Sequence, residues 1–338
     1  MHSFVAFLFG MMCAWALPKG KTHPPLGRWR ALAGGIAAIF PHIEKAFLLL
    51  GEGREVFVQF SHSITWTPFL IPLYSMILAV IMAKLIKHNW QSLFPIMLVS
   101  MLFSSFLTMF TLDGVKILYP LDDFTIALSS LYAFDLTILG IALFVLILDF
   151  VLPRWSKSLS RVGMLCIAIY LGVITTFSWR AQDMAEQYAG ALDLKSTQIH
   201  AIPQPISPMN WRLVVATEDN RVHDTMINIA REKEKIISDT SNRAAKIDAL
   251  YKPVDKAVWR IYRRFGKGER TEFIQDVWKD QPDWLRHYAR FHVFKKLDVQ
   301  AGMPCVEFKD LRTLGARKEE SGLFVSCKTE AGEYVNQF

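Results

Sequence analysis

Charged residues are few in this chain of 338 amino acids, and they are unevenly placed. They make up 20% of the sequence, while 52% is hydrophobic and the mean hydropathy is +0.23. Long stretches before residue 180 carry almost no charge, whereas the remainder mixes charged and apolar residues. This segregation is typical of membrane proteins. We predict a membrane-embedded helical domain over 1–180, a proline-containing connector over 181–210 and a small extramembrane α+β domain over 211–338.

The sequence also lacks the common signatures of soluble enzymes. It has no GxGxxG, P-loop, GxSxG or HExxH pattern and no internal repeat, so the common soluble catalytic chemistries have no sequence support. The net charge of +7 is not accompanied by a basic stripe with interleaved aromatic residues. We therefore expect no nucleic-acid partner. Chemistry should be sought among the polar residues that interrupt the apolar runs.

Cysteine is scarce, with four residues in the chain. Cys13 and Cys166 lie within apolar runs, where a thiol is usually a small buried hydrophobe. Cys305 and Cys327 lie in the polar C-terminal part, where an oxidising compartment would allow them to pair. A hairpin that turns near Arg317 would not place them opposite each other. The spacing therefore disfavours a disulfide and leaves the pairing open.

Six apolar runs precede residue 180. A helix that crosses a hydrocarbon core of about 30 Å needs about 20 mostly apolar residues. Four runs meet this length, one is broken by Pro41, and the first is shorter. In order, the six runs are 4–17, 31–50, 68–86, 93–110, 124–152 and 162–179. They predict an α-helical polytopic membrane domain of about five to six spans, with Trp66, Trp90, Trp155 and Trp179 as interfacial anchors at the ends of runs.

The loops between these runs alternate in charge. Loops 18–30, 84–90 and 153–161 carry two or more Lys or Arg residues, whereas loops 51–67 and 112–123 carry one each. Because Lys and Arg are retained on the cytoplasmic side of a membrane, this alternation predicts that both termini lie outside. We expect a multi-pass protein of a bacterial inner membrane, with the lipid bilayer around its first half and a periplasmic C-terminal domain.

The polar C-terminal part contains signals for both helices and strands. Met226, Ile229 and Ile236 recur near helical spacing and predict one or two charged helices over 219–251. Alternating apolar residues and turn residues predict strands elsewhere, and closely spaced prolines exclude a helix in the connector. The other predicted elements are a helix at 181–192, a proline-punctuated connector at 202–208, and strands at 211–217, 290–299, 303–313 and 322–328.

A few ionisable residues interrupt or flank the apolar runs. In hydrocarbon such a side chain is costly unless it is paired, hydrated or bound to an ion. The candidate metal ligands are His2, His42, Glu44 and His62. Histidine and carboxylate groups together can hold zinc, manganese or iron, and a metal with an open position activates water. Asp135, in the 124–152 run, is a candidate catalytic residue. The alternatives are solvated histidines, a structural contact of His42 and Glu44 between helices, and a structural Asp135.

Several of these residues belong to landmarks that occur, in the same order, in a known family. An early His precedes an apolar stretch that ends in Gly, an Ala-rich run leads to Pro and polar residues, and a Ser- and His-containing motif heads a Leu- and Pro-rich helix. The most specific landmark is the Pro-x-Ser-Pro-x-Asn-Trp-Arg pattern at 205–212. The others lie at 2–10, 37–44, 61–67, 104–108, Gly114, 118–120 and Asp135. In these features the chain resembles the YdjM-like family of bacterial inner-membrane proteins, described as membrane-bound metal-dependent hydrolases.

The resemblance implies a membrane-bound metal-dependent hydrolase of unknown substrate. Its implied ligands are His42, Glu44 and one or both of His2 and His62. At several ligand positions the sequence departs from the family pattern: His42 and Glu44 replace an Asp pair, Trp66 replaces a His, and hydroxyl residues within 104–108 replace a His and an Asp. Since a neutral hydroxyl is a poor transition-metal ligand, the alternative is an inactive membrane scaffold or interaction protein whose C-terminal domain binds a protein partner. A transporter component is the third hypothesis, although no inverted repeat supports it.

Overall fold

The chain forms two compact units. Unit 1 comprises Met1–Ala46 and Phe60–Phe177, and unit 2 comprises Phe47–Gln59 and Ser178–Phe338. Each unit has a hydrophobic core of its own. The computed structural model describes residues 3–18, 26–27, 29–49, 64–205, 207–238, 241–268, 270–300, 302–313, 323–329 and 333–337.

The apolar runs of unit 1 form helices with recognisable starts. They are α1 (Ser3–Ala16), α2 (Trp29–Ile39), a 3-10 segment (Phe40–Leu49), α3 (Ile71–Ile86), α4 (Trp90–Met109), α5 (Leu136–Val151) and α6 (Ser156–Ala191). Pro72 lies in the first turn of α3, where the missing N–H has no partner to lose. The side chain of Asn89 caps α4 by accepting a hydrogen bond from the Gln91 amide at 3.0 Å. Local sequence signals therefore set where these helices begin.

The prediction of a five- to six-span membrane domain is wrong. The described part of the chain is 51% helical and contains three β-sheets. In the described part of the chain, two helices are long and apolar enough to cross a membrane, α4 with 20 residues and α6 with 36. The helices α1, α3 and α5 have 14, 16 and 16 residues, which gives lengths of about 21–24 Å at 1.5 Å per residue. They fall short of a hydrocarbon core of about 30 Å.

Two apolar runs are shortened by features within them. In the 124–152 run the first twelve residues are not helical: Thr125–Ile126 forms strand β2, which pairs with β1 (Val115–Lys116), and α5 begins only after Asp135. In the 31–50 run, α2 ends at Ile39, because a proline two residues later cannot continue the helical hydrogen bonds. In both runs the apolar composition extends beyond the α-helix, into a β-strand in one run and into the 3-10 segment in the other.

Small residues allow α1 and α2 to approach closely. A Cβ atom added at Gly10 would lie 2.3 Å from the Gly34 carbonyl oxygen, and one added at Gly34 would lie 2.3 Å from the Gly10 oxygen.

Arg30, predicted as a cytoplasmic loop cation, is buried in α2 and donates to the carbonyl oxygen of Ala14 at 2.7 Å. It also donates to Leu17 at 2.8 Å, so it caps the C-terminal end of α1.

The described residues of unit 2 form two four-stranded antiparallel sheets. The first has the order β3-β4-β5-β6 and the second the order β10-β9-β8-β7. The strands are β3 (Ser196–Pro203), β4 (Asn210–Thr217), β5 (Arg221–Asn228), β6 (Arg260–Arg263), β7 (His292–Gln300), β8 (Met303–Asp310), β9 (Leu323–Lys328) and β10 (Tyr334–Gln337). The helices are α7 (Arg243–Asp248), α8 (Thr271–Lys279) and α9 (Asp283–Tyr288). Strands were correctly predicted near 211–217, 290–299, 303–313 and 322–328.

The prediction of charged helices over 219–251 is mostly wrong. Residues Arg221–Asn228 form β5, which pairs along its length with β4, and the described helix in this stretch is the six-residue α7. Asn220 has φ +61° in the tight turn between the two strands, a conformation that Asn tolerates. Met226, counted toward a helical face, is buried in the sheet. Pairing with β4 therefore outweighs the local spacing.

Cys305 and Cys327 form a disulfide, against the expectation from their spacing. They are directly opposite each other in the antiparallel β8–β9 ladder, and their Cα atoms lie 4.0 Å apart. The register of this ladder centres on residue 316, one position before Arg317. A hairpin centred on Arg317 would pair Cys305 with Thr329, two positions beyond Cys327. The prediction therefore failed by one residue in the position of the turn.

A buried ion network joins three strands of the first sheet. Asp224 of β5 is fully buried and accepts hydrogen bonds from Arg212 of β4 at 2.5–2.8 Å. It also accepts from Arg260 of β6 at 2.6 and 3.1 Å. The Arg212 guanidinium donates to the Leu311 carbonyl oxygen as well. Because a buried charge is tolerated only when it is paired and hydrogen-bonded, this network fixes the order of β4, β5 and β6.

Candidate functional site

The candidate site lies in unit 1, where α2 gives way to the 3-10 segment. The change of helix type occurs at Phe40, one residue before Pro41. In the 3-10 segment the side chains of His42 and Glu44 are buried, with exposed fractions of 7% and 4%. Ile43 between them is exposed. Residues two apart on an α-helix do not face one direction. From the sequence we therefore expected an irregular backbone after Pro41 if His42 and Glu44 were to lie on the same side.

The Glu44 carboxyl group is held by two neighbouring side chains. Its Oε1 atom accepts a hydrogen bond from the Trp66 indole Nε1 at 3.0 Å, and its Oε2 atom accepts one from the Thr65 hydroxyl at 2.8 Å. The Thr65 hydroxyl also lies 2.9 Å from the Pro41 carbonyl oxygen. These contacts join the break after α2 to the turn that precedes α3.

Trp66 fills the centre of this site. Its exposed fraction is 0%, and the His42 ring meets it edge-on with the ring centres 4.7 Å apart. The Ser105 hydroxyl of α4 donates to the Trp66 carbonyl oxygen at 2.6 Å. The prediction of an interfacial anchor at Trp66 is therefore wrong. The indole N–H finds a carboxyl acceptor inside the unit, which allows the whole ring to be buried.

The hydroxyl residues of α4 are bonded to the backbone. Ser104 donates to the Ala38 carbonyl oxygen of α2 at 2.9 Å, and Thr108 donates to the Ser104 carbonyl oxygen at 3.0 Å. All of these side chains are buried. The YdjM-like family has a His and an Asp at these positions. Here the Ser104 hydroxyl joins α4 to α2, and the Thr108 hydroxyl bonds within α4.

These residues do not fit a metal ion. In the part of the chain that the structure describes, no three His, Cys, Asp or Glu side chains form a group that could hold one. Trp66 offers only an N–H donor, which cannot bind a cation, and Glu44 already accepts from two donors. His2 and His62, the other predicted ligands, lie outside the described residues.

Asp135 lies at the start of α5 and not within a span. Its Oδ1 atom accepts from the Thr137 and Ile138 amides at 2.8 and 3.0 Å, as a helix N-cap does. Its Oδ2 atom accepts from the Tyr170 hydroxyl of α6 at 2.7 Å. Both oxygens are thus used to begin α5 and to join it to α6, which is the structural alternative considered for this residue.

Sequence reasoning missed two polar contacts in unit 1. Asp149, near the end of α5, is buried and accepts from the Ser160 hydroxyl of α6 at 2.7 Å. It interrupts the same apolar run as Asp135 and could have been found by the same criterion. Thr65 carried no comparable signal, because its partner Glu44 is 21 residues away in sequence.

Comparison with protein-family models, with curated proteins and with solved structures finds no significant match to this chain in any of the three.

Proposed function

We propose that this chain is a non-catalytic membrane protein in which unit 1 is the anchor and unit 2 binds a protein partner. The observation that carries the proposal is the environment of Glu44. Its two carboxyl oxygens accept from Trp66 and Thr65, and Trp66 stands at the sequence position where the YdjM-like family has a His. A carboxyl group so placed stabilises the packing of α2 against the turn before α3.

Exposed apolar stripes support a bilayer around unit 1. On α3, α5 and α6 large apolar side chains recur every three or four residues on one exposed face, and exposure reaches 89% at Phe150 and 77% at Leu85. The stripes comprise Ile77, Ile81 and Leu85, then Phe144, Ile147 and Phe150, and then Val162, Leu165 and Ile169. Soluble monomers rarely expose a continuous apolar surface of this kind. The helices α4 and α6 are long enough to cross.

The disulfide supports a location for unit 2. A bond between Cys305 and Cys327 persists in an oxidising compartment and is rare in the cytosol. We therefore propose that unit 2 lies on the periplasmic side of a bacterial inner membrane. A reporter fused after Phe338 tests the location: activity of a periplasm-dependent reporter is expected, and activity of a cytoplasm-dependent reporter contradicts it.

A metal-dependent hydrolase related to the YdjM-like proteins is the second candidate. The observation in its favour is that His42 and Glu44 are both buried in the same 3-10 segment, next to the position of the resembled motif. It requires additional ligands, for which His2 and His62 are the candidates from the sequence. Under this candidate the ion, zinc, manganese or iron, would supply an activated water.

An isosteric variant separates the two candidates. In cells from which the gene has been deleted, the Glu44→Gln protein should restore the function that the deletion removes, because a carboxamide oxygen can still accept from Trp66. Removal of residues 196–338 should abolish it, because unit 2 is the binding unit. A matched control is Glu232→Gln, which makes the same exchange at an exposed position. Loss of function in Glu44→Gln at normal protein levels, with the control active, would favour the hydrolase.

A further inference from the structure

Unit 2 contains a cavity with an excess of positive charge. It has a volume of about 380 Å³, and three arginines and a histidine line it together with one carboxylate. The residues concerned are Arg264, Arg286, His287, Arg290 and Asp283. With the histidine neutral, these side chains carry a net charge of +2 (three guanidinium groups and one carboxylate). The cavity belongs to neither the Glu44 site nor the ion network of Asp224.

Arg264 is held in place at one wall of this cavity. Its backbone N–H donates to the Asn220 carbonyl oxygen at 2.8 Å, and its own carbonyl oxygen accepts from Phe294 at 2.9 Å. The guanidinium donates to the Arg290 carbonyl oxygen at 3.0 Å and lies 5.7 Å from the centre of the Trp278 ring. Burial lowers the pKa of this guanidinium. A partly desolvated cation of this kind interacts more strongly with an anion than one in water.

The other two arginines come from the α9 region. Arg290 donates to the His287 carbonyl oxygen at 2.8 Å and lies 4.8 Å from the centre of the Phe291 ring. Arg286 pairs with Asp283 at the exposed rim. Burial and then the charges of Arg290 and His287 lower the pKa of nearby His200 to about 4. The charges of Arg290 and His287 thus add to the effect of burial at this end of unit 2.

We propose that this cavity binds a phosphate group, carried by a soluble phosphorylated molecule or by an anionic lipid. A guanidinium presents paired N–H donors that match two phosphate oxygens. Arg264 and Arg290, held by backbone carbonyl oxygens, have their positions fixed before a ligand arrives, which reduces the ordering that binding requires. Arg286, which pairs with Asp283 at the rim, adds a third positive charge.

Calorimetric titration of the full chain in neutral detergent tests this inference. The probes are inorganic phosphate and dihexanoyl phosphatidylglycerol, with dihexanoyl phosphatidylcholine as the zwitterionic lipid control. Arg286→Gln and Arg264→Gln should each weaken binding about tenfold, because each removes a hydrogen-bonding charge from the anion. Arg243→Gln is the matched control, since it removes the same charge from an exposed position on α7. It should leave the affinity unchanged.

The outcomes identify the source of the phosphate. Binding of inorganic phosphate that weakens in both variants indicates a soluble ligand, and binding of phosphatidylglycerol alone with the same losses indicates a lipid. Arg286 is exposed, so its variant remains informative if Arg264→Gln fails to fold. The inference would be overturned if neither phosphate nor phosphatidylglycerol binds, or if phosphatidylcholine binds as tightly as phosphatidylglycerol. Equal affinity of Arg286→Gln and the wild type would overturn it as well. None of these results depends on the behaviour of Glu44→Gln.

Discussion

Removal of the indole N–H of Trp66 is the sharpest perturbation of the Glu44 site. Trp66→Phe keeps a buried aromatic ring but removes the hydrogen bond of 3.0 Å that the indole N–H donates to Glu44 Oε1. The loss of one partner from a buried hydrogen bond costs about 1–3 kcal/mol. Glu44→Ala removes the same bond from the other side together with the bond from Thr65, so it should cost more. Because both changes remove one interaction, the double variant should cost about 1–2 kcal/mol less than the sum of the two.

Thermal unfolding of the full chain in detergent, followed by near-ultraviolet circular dichroism, measures these costs. A loss of 1 kcal/mol lowers Tm by about 2–4 °C for a domain of 150–250 residues. Trp155→Phe is the control, because Trp155 is exposed on unit 1 and its loss should change Tm little. Strict additivity of Trp66→Phe and Glu44→Ala, or a Trp66→Phe variant as stable as the Trp155→Phe control, would refute the structural role of this bond.

Three further predictions concern stability. Burial lowers the pKa of His292 to about 4, below its unfolded value of about 6.5, so the unfolded chain binds the proton first as pH falls. Stability should therefore decrease between about pH 6.5 and pH 4 by up to about 3 kcal/mol, and denaturation midpoints of His292→Phe should depend less on pH. Asp135→Ala should cost about 1 kcal/mol or more through loss of the cap, with Asp135→Asn milder, measured as Tm. Reduction of Cys305–Cys327, which closes 22 residues, should cost about 3 kcal/mol, and dithiothreitol should leave Cys305→Ser unaffected.

The C-terminal strands could be predicted because their signals are local. Residues 323–328 are a short, mostly apolar run that follows Gly322, and this run forms strand β9. The 219–251 stretch failed because the spacing of Met226 and Ile229 resembles a helix, while the strand pairing that determines β5 depends on β4. The 124–152 run failed because Asp135 was read as an interruption within a helix. A carboxylate accepts from the first free amides of a helix, so the same residue marked its beginning.

The candidate site could be predicted only in part. Glu44 and His42 were found because polar residues are costly in apolar surroundings. Their partners were not, because the hydrogen bonds from Thr65 and Trp66 connect residues 21 and 22 positions apart. Trp66 looked like a membrane anchor by its place at the end of an apolar run. Only its three-dimensional neighbour, a carboxyl acceptor, explains its complete burial.

Elemental analysis of the purified protein tests the central claim most directly. The full chain in detergent and a His42→Ala, Glu44→Ala double variant should be compared for zinc, manganese and iron per polypeptide. If the buried carboxyl group serves packing, both proteins should contain the same near-zero amount of metal. About one metal ion per chain in the wild type, lost in the double variant, would contradict the account.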